Sequence, residues 1–126
     1  MTDPLAAVEA HLAAFNARDL RALSAGFRDD AVFATGDELV IGRRGITAFF
    51  AEAFAQPLRA ELRLQRSVTD DDTVACEMAE RLTLDDGRSH DLALATFYTV
   101  RDGALARVKV YREDGSAFAS GSDPWS

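Results

Sequence analysis

From Leu58 onward the apolar residues fall at every second position, and this period decides what the chain can fold into. Leu58, Ala60, Leu62 and Leu64, with Arg66 in the same phase, alternate with Arg59, Glu61, Arg63 and Gln65. Such alternation gives an extended segment one apolar and one polar face. Turn sequences cut the run three times, at Asp70-Asp71-Asp72, Asp85-Asp86-Gly87 and Arg101-Asp102-Gly103. The segments between them, Thr73 to Leu84, His90 to Val100 and Leu105 to Arg112, read as strands of a meander.

The first half has a different period. Leu5, Val8, Leu12 and Phe15 recur at three- and four-residue spacing behind Thr2 or Asp3 as a cap and Pro4 at the first helical position. Asp19 caps a short second helix carrying Leu20, Leu23 and Phe27, with Gly26 as its stop. Asp29-Asp30 reads as a turn, and Ala31 to Thr35 and Glu38 to Ile41 as two short strands about Gly36-Asp37. A third helix is expected from about Arg44 to Ala55, with Ile46, Phe49, Phe50 and Phe54 on or near one face, before Pro57 forbids its continuation. Helices first and long strands after make an α+β chain. Its 126 residues allow a single domain, 1–126, with a core of about 4–115 and a tail at 116–126.

Composition removes several functions. A formal charge of −7 disfavours nucleic acid and anionic membrane surfaces, both of which call for basic patches. Cys76 is the single cysteine and His11 and His90 the two histidines, so neither a disulfide nor a usual zinc site is expected, and no cofactor is implied. The Met1-Thr2-Asp3-Pro4 start lacks a basic n-region and an apolar run follows nowhere at membrane length, so the expected compartment is the cytoplasm.

Local motifs carry a resemblance. Phe15-Asn16-Ala17-Arg18-Asp19-Leu20 is similar to an Asn-x-x-Asp-Leu link between two helices, and Phe27 to Phe33 to a Phe-x-Asp-Asp-Ala lead into a first strand. Gly42-Arg43-Arg44-Gly45-Ile46-Thr47-Ala48-Phe49-Phe50 is similar to a Gly-x-x-x-Ile-x-x-Phe-Phe helix start, and Tyr98 to Leu105 to the turn before a last strand. Together, over about residues 4–115, they resemble the nuclear transport factor two-like superfamily, in its SnoaL-like and ketosteroid isomerase-like branch. The resemblance implies a cone-shaped half-barrel, with a strongly bent mixed sheet wrapped around the helices. It also implies an apolar cavity for a small hydrophobic molecule and a homodimer through the outer sheet face.

The chemistry of the relatives is not carried over intact. Ketosteroid isomerases use a carboxylate base, a helix tyrosine and a protonated aspartic acid. The resemblance sets Thr35, His11 and Ala95 at those positions, so none of the three residue types is kept. Limonene epoxide hydrolases pair an arginine with two aspartates; Arg81 is present, but Thr83 stands where an aspartate is needed.

The residues themselves offer His11 and Glu80 as candidate catalytic groups. His11 flanks the apolar stripe of the first helix, either as a core-edge histidine or as a proton shuttle in the cavity. Glu80 falls in phase with Val74, Cys76, Met78 and Leu82 on the apolar face of its strand. Two readings stand for it: a bulge or a rim ion pair that renders it structural, or a cavity carboxylate with a raised pKa. Arg112, in phase with Val108 and Val110, is a partner for Glu80 or for an anionic ligand. Phe15, Phe33, Thr35, Phe54, Met78 and Phe97 complete the expected lining, while Tyr98 and Tyr111 are expected on the outer face. Two functions follow: an acid–base isomerase, cyclase or hydratase of a small hydrophobic molecule, or a non-catalytic carrier or sensor with the same cavity.

Overall fold

The structure is a computed structural model and describes residues 3–113; the expected tail at 116–126 lies outside the described residues. Helix α1, Pro4–Ala17, opens where Asp3 accepts a hydrogen bond from the Leu5 amide at 3.1 Å, and it closes at Arg18 in the left-handed region, φ 56°. Asp19 then caps α2, Leu20–Ala25, accepting from the Ala22 amide at 3.1 Å. Strands β1, Phe27–Thr35, and β2, Glu38–Ile41, lead to α3, Arg43–Phe54. Gly42, at φ 91°, makes the bend before α3 and donates its amide proton to Ala31 O at 2.7 Å. The four long strands follow as β3, Leu58–Asp70, β4, Thr73–Leu84, β5, Ser89–Arg101, and β6, Ala104–Arg112.

The strands form one mixed sheet in the order β2-β1-β6-β5-β4-β3. Every neighbouring pair is antiparallel except β1 with β6, which is parallel. The long strands are the meander their turns demand, and the parallel pair joins the first half of the chain to the end of the second. Bent around α1 and α3, the sheet makes the cone-shaped α+β architecture. Val8, Leu12, Phe15, Ile46 and Phe50 from the helices pack on Phe27, Val74, Tyr98, Leu105 and Val108 from the sheet. Burying each of the larger of these side chains is worth about 1.5–3 kcal/mol. No helix among the described residues is long and apolar enough to cross a membrane.

Phe27, expected on the second helix, instead opens β1. Three further expectations are corrected. Asp29-Asp30 is not a turn; both lie inside β1, where the register with β6 slips between Phe27 and Val32. Cations from two elements lie beside this bulge, Arg43 2.7 Å from Asp29 and Arg28 3.4 Å from Asp30. Arg66 does not continue the apolar phase of β3. Leu64 pairs with Met78 but Arg66 with Glu77, so Gln65 is the extra residue of a bulge and Arg66 turns outward to Glu77. The third correction concerns β5. Leu92, Leu94, Thr96, Tyr98 and Val100 face inward, so Tyr98 is 2% exposed while Phe97, at 42%, lies on the outer face beside Tyr111.

Candidate functional site

The bent sheet and the two longer helices enclose a cavity of about 310 Å³. Its body is apolar, walled by Phe15 of α1, Phe33 of β1, Phe49, Phe50 and Phe54 of α3, Met78 of β4 and Leu94 of β5. Eight of the nine residues expected to line it do so: His11, Phe15, Phe33, Thr35, Phe54, Met78, Glu80 and Arg112. Phe97 does not, because it points away from the concave face.

His11 marks the inner end. Its ring is 6% exposed and meets Phe27, Phe50 and Tyr98 edge-on, at centroid distances of 5.4, 6.1 and 5.8 Å. Burial pushes its pKa down to about 4, so the imidazole is neutral at physiological pH. Its Nδ1 is buried without a hydrogen-bond partner among the described residues. Tyr98 beside it also stays neutral, since burial above all, and Cys76 next, raise its phenol pKa.

Glu80 lies nearer the mouth. The phase of β4 runs unbroken to it because the bulge falls on the partner strand at Gln65, so it stays inward at 3% exposure. Arg112 approaches through a single nitrogen: Nη2 donates to Glu80 Oε2 at 3.4 Å and lies 3.3 Å from Oε1 without hydrogen-bond geometry. Burial raises the Glu80 pKa, and the Arg112 charge opposes that rise without cancelling it. The pair is therefore present but incomplete, with one carboxylate oxygen unsatisfied. A buried carboxylate oxygen without a hydrogen bond carries a cost of desolvation, which the Arg112 charge offsets in part.

The two levels are tied together by Asn16. Its side chain donates to Leu62 O and accepts from Leu62 N, both at 2.8 Å, completing the strand's hydrogen bonds from a helix end. Leu62 is the strand partner of Glu80. Asn16 is five residues beyond His11, so the helix sets the levels of His11 and Glu80 roughly 8 Å apart.

Arg18, Thr96 and Tyr98 belong to the lining and were not foreseen. Arg18 donates to Phe54 O and sits over the Phe54 ring at 5.1 Å, beside the mouth. For Thr96 and Tyr98 a signal existed. Asp91 shares the phase of Ala93, Ala95 and Phe97, and a carboxylate that pairs with Arg81 at 3.0 Å on the outer face puts Phe97 outside with it.

The sequence pattern of the SnoaL-like domain matches residues 8–108. The chain belongs to the SnoaL-like domain family. No curated protein matches it. Solved structures place this SnoaL-like domain among proteins of the same fold. TerC, co-crystallised with polyporic acid, is 22% identical over 93% of this chain and 95% of its own, with a TM-score of 0.81. A ketosteroid isomerase-like protein from Catenulispora acidiphila, in complex with trimethylamine, is 20% identical over 93% of each chain, with a TM-score of 0.81. An LEH-like epoxide hydrolase from M. tuberculosis is 20% identical over 94% of this chain and 96% of its own, with a TM-score of 0.77. At these identities the likeness is one of fold.

Proposed function

We propose that this SnoaL-like domain is an acid–base enzyme of a small hydrophobic molecule, an isomerase, cyclase or hydratase, with Glu80 and His11 as its catalytic residues. The observation that carries this reading is the pair of ionisable side chains, from a helix and a strand, that line one apolar cavity while each keeps a buried polar atom without a hydrogen-bond partner among the described residues. Groups so placed cost folding free energy, and a substrate supplies the missing partners.

The division of labour follows from the pKa directions. Glu80, raised by burial, is a stronger base than an exposed glutamate and takes a proton from carbon beside a substrate carbonyl. The enolate oxygen that develops accepts a hydrogen bond from the inner end, where His11 is neutral. Glu80, now protonated, returns the proton to another carbon or to oxygen. Thr35 lines the cavity but cannot transfer a proton near neutral pH, and Ala95 lies on the outer face with Phe97, so neither takes part as acid or base.

The apolar walls support a second reading, a carrier of the same ligands without turnover. Exchange of the α-protons of 2-tetralone in deuterated water, followed by proton NMR, separates the two. Accelerated exchange that is lost in Glu80→Gln and reduced in His11→Ala supports the enzyme. Binding of 2-tetralone without exchange supports the carrier.

The same outward face of the sheet suggests the assembly. Phe97 and Tyr111, in edge contact at 6.0 Å, lie exposed on adjacent strands, and covering them with a second copy of the chain withdraws both from water. Light scattering at micromolar concentration is expected to give the mass of a dimer, and a monomer mass overturns this assembly.

A further inference from the structure

The chain and its cavity carry charge of opposite sign. The formal charge of the whole chain is −7. Among the described residues, the charged groups lining the cavity are two guanidiniums, Arg18 and Arg112, against one carboxylate, Glu80. His11 adds nothing, because burial keeps it neutral. The lining is therefore net positive whether Glu80 is ionised or protonated. Low-dielectric walls around such a lining focus its field and draw anions toward it.

Arg112 has donors to give. A guanidinium carries five N–H groups in a planar fork. Both contacts with Glu80 run through Nη2 alone, and its Nε and Nη1 have no protein partner among the described residues. The side chain is half exposed, so these donors stand at the mouth. Behind them the walls are apolar: Phe33, Phe54, Met78, Leu94 and Val110. Arg112 is four residues beyond Val108, which pairs with Tyr98 at the inner end. That separation is roughly 13 Å along the strand, the reach of a two-ring skeleton with a substituent.

We propose that the cavity takes a hydrophobic organic acid, with its hydrocarbon skeleton inside and its anionic oxygens on the open fork of Arg112. This rests on the reading that the cavity is the working site, but requires no turnover there. Arg18 adds charge to the rim and has no carboxylate partner among the described residues. A single open fork suits a monoanion such as a carboxylate better than a phosphate dianion. Glu80 competes with the ligand for Arg112, so its carboxylate limits affinity.

The test compares 2-naphthoate with its neutral isostere 2-naphthamide by calorimetry at pH 7.5. The acid is expected to bind at least tenfold more tightly than the amide. Arg112→Gln should bring the ratio close to one, and Arg112→Lys should keep part of it. Glu80→Gln should tighten 2-naphthoate several-fold and leave 2-naphthamide unchanged, a result a purely structural pair would not produce. It also serves if Arg112→Gln fails to fold. Equal affinities, or a preference untouched in the arginine variants, overturn the acid while the cavity reading stands. Failure of both probes to bind overturns the two together. Tight 2-naphthoate binding without 2-tetralone exchange upholds the acid and points to the carrier.

Discussion

His11 at the inner end of the cavity and Glu80 nearer its mouth are almost equally shut off from water, yet only Glu80 has a partner of opposite charge. Desolvation acts alone on His11 and removes its charge. On Glu80 it is opposed by Arg112, and the carboxylate remains titratable with a raised pKa. Equal burial thus produces two kinds of group: a neutral hydrogen-bonding ring and a strengthened base. The difference lies in the neighbours, three aromatic rings around His11 and a half-exposed guanidinium beside Glu80.

The sharpest way to break this contrast is to remove the base. Glu80→Gln keeps the shape and a hydrogen-bond acceptor but cannot take a proton. Loss of general acid–base catalysis typically costs about 10²–10⁴-fold. A loss of that order in 2-tetralone exchange is expected, with an unchanged circular dichroism spectrum. Exchange at the wild-type rate would mean that Glu80 is a structural partner of Arg112 and that the two ends differ in nothing catalytic.

The pH dependence of stability pulls the two ends apart. The His11 pKa falls from 6.5 to about 4 on folding, so between those values the unfolded chain binds more protons. Its contribution is present above pH 6.5 and is lost as pH falls toward 4, an effect of about 3 kcal/mol. Glu80 has the opposite sign, because its folded pKa is raised. Its contribution is present below the unfolded pKa and is lost as pH rises through the folded one. Denaturant unfolding from pH 4 to 8 measures both. The stability of the wild type minus that of His11→Phe should rise with pH to 6.5 and then level. The wild type minus Glu80→Gln should fall as pH rises. Parallel curves for wild type and either variant would remove that residue's shift.

At pH 7 the inner end offers a smaller effect of unusual sign. His11→Phe removes the unpartnered Nδ1 and keeps an aromatic ring among Phe27, Phe50 and Tyr98. Relief of an unsatisfied polar atom is worth about 1 kcal/mol. His11→Phe is expected to unfold at higher urea than the wild type while losing exchange activity. A destabilised His11→Phe would mark His11 as part of the packing.

The legibility of this contrast in the sequence was uneven, and the reasons are physical. Caps and turns are local, so Asp19, Gly42 and the turns between β3, β4, β5 and β6 could be read directly, and the first cap was narrowed to Thr2 or Asp3, of which Asp3 takes the role. On β4 the two faces differ strongly, Val74, Cys76 and Met78 against Ala75, Glu77 and Ala79, which is why the inward phase of Glu80 was visible. On β5 both faces are apolar, and alternation alone cannot tell Tyr98 from Phe97. The choice is made by pairing: Val74 faces Tyr98, Met78 faces Leu94 and Glu80 faces Leu92, so the clear phase of β4 is imposed on β5. Asp29 and Asp30 show the reverse error. Their turn chemistry is overridden by strand pairing, since Phe27 on one side and Val32 to Thr35 on the other are paired with β6 and carry the two residues between them as a bulge. The Arg112 approach to Glu80 joins β6 to β4 across β5, and it was open to reading because Arg112 shares the inward phase of Val108 and Val110 as Glu80 shares that of Met78.

The smallest expected effect, that of Phe97→Ser, comes from testing the two faces of β5 against each other. Tyr98 and Phe97 are neighbours in sequence, aromatic and similar in size, but 2% and 42% exposed. Tyr98→Ser opens a hole beside His11 and leaves its wall without packing, and large-to-small changes in a core cost about 3–5 kcal/mol. Phe97→Ser removes a ring already in contact with water, and surface changes of this kind stay within about 0.5 kcal/mol. That small value holds for the isolated chain. If the outer face is covered by a second copy, as proposed, the same substitution uncovers the partner as well. The midpoint of Phe97→Ser unfolding should then lose the dependence on protein concentration that the wild type shows. The wild-type midpoint should rise with concentration. A wild-type midpoint independent of concentration, together with a Phe97→Ser variant unfolding where the wild type does, would leave the outer face a solvent face and confine the importance of β5 to its inner side.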